Sequence, residues 1–171
     1  MLRTTAWTWD WSLVTTTDMT GKWAFALDPA GSNVEVSYRV LSNGNLHAKS
    51  NSYVAGTKMV VDPSGQYAIA VNAIGPLDAE QGPGKIYVYA IGDYYGEMTA
   101  VAGPYATPNS ARDLAMDDAG KFLFVANGGE ISIFAFNHQD GTLTEVPFSP
   151  VKVGTSSAPT ATAIAIASQH N

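Results

Sequence analysis

A six-residue turn motif recurs three times and limits what this chain can fold into. Asp18-Met19-Thr20-Gly21-Lys22-Trp23, Asp62-Pro63-Ser64-Gly65-Gln66-Tyr67 and Asp117-Asp118-Ala119-Gly120-Lys121-Phe122 all read D-x-x-G-[KQ]-aromatic, with the aspartates 44 and then 55 residues apart. The motif has a local mechanism. A carboxylate accepts hydrogen bonds from backbone N–H groups a few residues on, and glycine takes the positive φ that closes the turn. The aromatic then begins a strand. Self-similarity at this period is the mark of a propeller or another array of supersecondary units; a sandwich has no reason to repeat its turn chemistry.

The segments between the turns repeat too. WAFAL (23–27), YAIAVN (67–72) and FLFVAN (122–127) read as second strands. NVEVSYRV (33–40), KIYVYAI (85–91) and EISIFAF (130–136) read as third strands. Turns at Asn43-Gly44, Gly96 and Asp140-Gly141 lead into NLHAK, EMTAV and TLTEV as fourth strands. Apolar residues run at period 2 rather than 3.6, so no amphipathic helix is expected. The expected fold is all-β, in propeller blades of four antiparallel strands. The blades cover about 11–49, 57–101 and 112–146, and APTATAIAIA starts a further blade over 158–171. Three blades and one strand make an incomplete ring, so self-association through open blade faces is expected. The alternating Thr-Trp segment with Trp7, Trp9 and Trp11 reads equally as a strand or as an edge segment.

Composition agrees and removes several function classes. Hydrophobic residues are 46% of the 171 and charged residues only 14%, the make-up of short strands and tight turns. The net charge is −6 and no basic cluster appears, which speaks against nucleic-acid binding. With no cysteine there is no disulfide framework, Cys-based metal site or Cys nucleophile. No apolar run approaches the ~20 residues of a membrane span. MLRTTAWTWDW lacks the uninterrupted apolar core of a signal peptide. The expected place is therefore the cytoplasm if the N-terminus is as written, and outside it if a signal lies upstream.

DPSGQYAIAVN and DDAGKFLFVANGGEISIFAFNHQDGTLTEV, with GPY and FSP at the following connectors, resemble the seven-bladed lactonase propellers of the 6-phosphogluconolactonase-like type and the related YVTN-repeat propellers. The likeness runs from about residue 11 to the end. It implies a seven-bladed ring, and hydrolysis of a lactone or sugar-phosphate substrate without metal or organic cofactor. The motif itself is architectural, so a non-enzymatic propeller that presents a protein- or ligand-binding surface is the alternative.

One rim of such a propeller collects the starts of the first strands and the links from second to third strands, here residues 56–58, 108–113, 73–84 and 128–129. Ligand sites gather where loops meet a rigid scaffold. Arg112 begins an inner strand, where a guanidinium can hold a carboxylate or phosphate in a fork, or pair with Asp113. Asp113 can orient it or act as a base. Lys58 lies close to the corresponding place in the second repeat and is a candidate substrate contact. Asn72 and Asn127 end second strands and can bind substrate or satisfy the turns. The long link 73–84, with Asp78 and Glu80, reads as a surface insertion or a lid. His47 and His138 lie at or near third turns without metal-ligand spacing, and Asp117-Asp118 reads as a turn pair, not a catalytic one.

Overall fold

A computed structural model describes residues 14–28, 34–72, 84–108, 111–153 and 163–167. The Thr-Trp segment, the 73–83 link with Asp78 and Glu80, and residues 154–162 lie outside the described residues. Three antiparallel sheets stand in chain order. The first contains β1 (Val14–Thr17), β2 (Trp23–Asp28), β3 (Val34–Val40) and β4 (Leu46–Tyr53). The second contains β5 (Lys58–Val61), β6 (Tyr67–Asn72), β7 (Lys85–Ile91) and β8 (Met98–Ala106). The third contains β9 (Asp113–Met116), β10 (Phe122–Ala126), β11 (Glu130–Asn137) and β12 (Thr142–Glu145), with β13 (Val151–Lys152) also pairing β11. Each sheet is a meander in sequence order, and no helix occurs among the described residues.

The repeat turns form as their chemistry dictates. Asp18 Oδ1 accepts from Trp23 N at 2.8 Å, Asp62 Oδ1 from Tyr67 N at 2.8 Å, and Asp117 Oδ1 from Phe122 N at 2.7 Å. Asp62 also accepts from Ser64 N, Ser64 Oγ and Gln66 N, and its side chain is fully buried. Gly21, Gly65 and Gly120 close the turns at φ of 69°, 73° and 66°. Asp117-Asp118 is therefore turn architecture.

Strand alternation then sends one set of side chains toward the preceding blade and the other toward the following one. Trp23, Phe25 and Leu27 pack on Met59, Val61, Ala68, Ala70 and Tyr89 of the second sheet. On that sheet's other side, Ile69, Val71, Ile86 and Val88 pack on Leu114, Leu123, Val125 and Phe134 of the third. Most of these side chains are completely buried, and each large aliphatic or Phe among them contributes about 1.5–3 kcal/mol relative to exposure.

The blades also key into one another at the turns. A Cβ added to Gly96, in the third turn of the second blade, would lie 2.9 Å from the Trp23 ring. One added to Gly141, in the third turn of the third blade, would lie 2.9 Å from the Tyr67 ring. Ser37 Oγ donates to Tyr95 O at 2.8 Å in the first of these junctions.

Two of the fourth strands run further than their local sequence suggests, to Tyr53 and Ala106, through register shifts beside Ser37/Tyr38 and Ile86/Val88. The Gly103–Pro104 and Ser149–Pro150 peptide bonds, in the GPY and FSP connectors, are cis. Residues 163–167 carry no strand, but Ile164 N donates to Asp113 Oδ2 at 3.0 Å beside the inner strand of the third blade.

Candidate functional site

Register places the sequence-derived residues on a common rim. Lys58 pairs with Val71, Asn72 with Lys85, and Asp113 with Ala126, while Asn127 N donates to Glu130 O at 3.0 Å across the Gly128-Gly129 turn. Every one of these positions is at the end of its sheet opposite the D-x-x-G turns. The rim therefore brings together Lys58, Asn72, Arg112, Asp113 and Asn127, with Lys85 and Glu130 beside them.

Their roles differ in ways that the sequence did not separate. Thr57, not Lys58, is the counterpart of Arg112. Thr57 N donates to Val71 O at 2.8 Å as Arg112 N donates to Ala126 O at 2.7 Å. Lys58 is the counterpart of Asp113. Lys58 shares the sheet side of Val71, toward the third blade, and Arg112 stands two residues before Leu114, which faces back toward the second. Two cationic side chains thus start from opposite sides of one interblade junction. Lys58 is exposed and Arg112 partly buried.

Arg112 Nε is buried and donates to no acceptor, and no ion pair among the described residues includes Arg112. Asp113 does not pair with it; its Oδ2 accepts from Ile164 N at 3.0 Å. Asn127 is fully buried. Its Nδ2 donates to Ser132 Oγ at 2.8 Å, whereas Oδ1 has no donor. Asn72, at the same repeat position, is exposed. Asn127 is thus built into the junction between blades, and Asn72 is open to solvent.

One rim residue was missed. The position ten residues after each turn aspartate holds Asn72 and Asn127 in two blades and Asp28 in the first, where it ends β2 in register with Val34. Counting from the turn motif would have found it. At the other end, His138 Nδ1 lies 3.4 Å from Asp62 Oδ2, so that histidine serves a blade junction remote from the rim.

The family model described as "Lactonase, 7-bladed beta-propeller" matches residues 24–158. The chain belongs to this lactonase propeller family. Solved structures agree on the fold. A Bacteroides fragilis protein assigned as a 6-phosphogluconolactonase superposes with a TM-score of 0.67 at 22% identity, over 81% of this chain and 38% of that one. A Bacteroides uniformis protein assigned likewise gives 0.66 at 19% identity, over 81% and 40%. The periplasmic gluconolactonase of Pseudomonas aeruginosa gives 0.64 at 18% identity, over 82% and 39%. The lactonase-family chain thus spans about two-fifths of the length of these structures. No curated protein matches the sequence.

Proposed function

We propose that the rim of this lactonase-family propeller binds and hydrolyses a sugar lactone of the 6-phosphogluconolactone type. The observation that carries the reading is Arg112, a guanidinium at the start of an inner strand whose buried Nε–H has no acceptor and whose neighbouring carboxylate is engaged elsewhere. Lys58 adds a second cation at the same junction. Together they suit an anionic substrate and the negative charge that develops on the lactone carbonyl oxygen as water adds to it.

In the proposed reaction, water adds to the carbonyl carbon and the ring C–O bond breaks. The proton taken from the water goes to the leaving alkoxide, so the product is the open hydroxy acid. A carboxylate suits the proton-transfer role. Asp113, next to Arg112 on the rim, is the candidate, with its Oδ2 accepting from Ile164 N. Asn72 is the exposed amide available to a substrate hydroxyl.

The test is hydrolysis of 6-phosphogluconolactone by the purified chain above the spontaneous rate, compared with Arg112→Ala. Absence of catalysis, or an Arg112→Ala variant as active as the parent, removes the assignment. A second reading, a propeller that works by presenting a binding surface, is favoured by an apolar groove of about 860 Å³ on the first blade, lined by Ala24, Ala26, Tyr38, Val40 and Leu46 among others.

A further inference from the structure

The third turn of the second blade carries two exposed tyrosines that its fold does not require. At the residue before the turn glycine the first blade has Asn43, whose Oδ1 accepts from Asn45 N at 3.0 Å, and the third has Asp140, whose Oδ1 accepts from Thr142 N at 3.0 Å. Tyr95 holds that place in the second blade, and its side chain cannot serve the turn in this way. Tyr94 is 77% and Tyr95 50% exposed, and their rings meet edge to face with centroids 4.5 Å apart. The turn is held instead by the first blade. Ser37 Oγ donates to Tyr95 O, Gly96 lies against the Trp23 ring, and Lys22 Nζ is 3.6 Å from Asp93 Oδ1. Two large rings thus face solvent on a fixed support.

The adjoining surface of the first blade complements them. The register between β3 and β4 passes from Ser37–Ser50 to Tyr38–Ala48, which leaves Lys49 as the extra residue of a bulge. A shallow polar depression of about 200 Å³ opens there, lined by Ala48, Lys49, Ser50 and Asn51. The buried Ser37 hydroxyl joins it to the tyrosine turn, accepting from Ser50 N at 3.1 Å and donating to Tyr95 O. Arg39, one residue past the bulge on β3, lays its guanidinium over Trp23, 5.3 Å from the ring centroid. No ion pair among the described residues includes Arg39 or Lys49. The N–H fork of Arg39 and the ammonium of Lys49 are therefore open to an anion. All of this lies on the outer edge of the disc, where β4 is the last strand of its blade. Packing of blade on blade covers sheet faces and leaves this edge in solvent.

We propose that this site on the disc's outer edge binds an oligosaccharide of acidic sugars. Tyr94 and Tyr95 offer rigid ring faces to the C–H sides of the sugar rings. Ser50 and Asn51 supply adaptable hydrogen bonds to hydroxyls, and Lys49 and Arg39 take the carboxylates. A peptide added as a strand fits less well. The bulge at Lys49 interrupts the β4 edge that it would pair with, and the depression is polar rather than a socket for an apolar side chain. Two unpaired cations on a chain of net charge −6 select an anionic ligand over a neutral one. The proposal is independent of the lactonase reading, since none of these residues lies on the rim that carries Arg112.

The test is an NMR chemical-shift titration of the 171-residue chain with a galacturonate trimer. Maltotriose is the neutral control and a glutamate-rich peptide the anionic peptide control. The galacturonate trimer is expected to move the backbone amide signals of Ser50, Tyr94 and Tyr95, and to bind about tenfold or more tightly than maltotriose. Tyr94→Ala, at a side chain almost wholly in solvent, keeps the fold out of question and should weaken binding about tenfold. Lys49→Gln should remove most of the preference for galacturonate over maltotriose. A parent whose signals do not move with the trimer up to about 10 mM overturns the proposal. So does binding that Tyr94→Ala and Lys49→Gln both leave unchanged, or shifts confined to other parts of the chain. Tighter binding of the glutamate-rich peptide at the same residues also overturns it, because the site would then be one for acidic peptides.

Discussion

His138 of the third blade reaches the buried carboxylate of Asp62 in the second, Nδ1 to Oδ2 at 3.4 Å. The same carboxylate accepts from Ser64, Gln66 and Tyr67, so it organises its own turn and anchors the next blade. Asp62→Ala leaves those donors without a partner and is expected to destabilise by about 2–4 kcal/mol. His138→Ala, at a side chain partly open to solvent, should cost about 1 kcal/mol or less. Urea unfolding measures both. Equal effects would mean that the interblade contact dominates and the turn does not.

Gly141 sits at φ 74° with the Tyr67 ring where a Cβ would go. Gly141→Ala adds backbone strain and a steric conflict across the junction, and should cost about 2–3 kcal/mol. Gly44, at φ 82° with nothing nearby, is the control. Gly44→Ala should cost about 1 kcal/mol from the backbone alone. Thermal unfolding that shifts equally for both would show that the ring contact carries no weight.

Alkaline pH acts on the first junction. Burial raises the Tyr89 pKa above its ordinary value near 10, only partly offset by the hydrogen bond that its phenol oxygen accepts from Ala55 N. The folded chain therefore holds this proton where the unfolded chain has lost it. The contribution is complete below the ordinary value and is lost as pH rises through the raised one. Asp140 has the opposite sign. The Thr142 hydroxyl and backbone N–H hold its carboxyl below its ordinary range. That contribution is present above the ordinary carboxylate value and is lost as pH falls through the lowered one. Stability measured against pH should show a shallower alkaline fall for Tyr89→Phe and a shallower acid fall for Asp140→Asn.

At the rim, Arg112→Lys keeps the charge and discards the fork. If Arg112 grips the substrate through the planar guanidinium, kcat/KM for 6-phosphogluconolactone should fall about 10-fold or more for Arg112→Lys, and further for Arg112→Ala. Asp113→Asn should lower kcat about 100-fold or more with little change in KM if Asp113 moves the proton. A kcat unchanged by Asp113→Asn removes that role.

Much of the architecture was readable because its causes are local. An aspartate that bonds N–H groups two to five residues away leaves its mark in six letters, and the aromatic after it marks where a strand starts. The extended ends of β4 and β8 were not readable, because partner strands β3 and β7 set them through bulges. The contrast between Asn72 and Asn127 was also hidden. Both end a second strand, but whether the amide is sealed or open depends on the adjoining blade, which is distant in sequence. Asp28 was readable and was missed, for lack of counting each strand from its turn. Arg112 was found at its place, while the absence of an ion pair to it among the described residues emerges only from the structure.

Gly96 under Trp23 and Gly141 under Tyr67 both lock neighbouring blades at the turn side. At the rim side Gly84 does the same for the second and third blades, since a Cβ added there would lie 2.4 Å from Ala111 N. The link between second and third strands is two residues in the third blade and runs from 73 to 84 in the second, without a change in sheet order. Foreign peptide inserted ahead of Gly84 in this link would leave the Gly84, Gly96 and Gly141 locks intact, so a new recognition loop can be grafted there at little cost to folding.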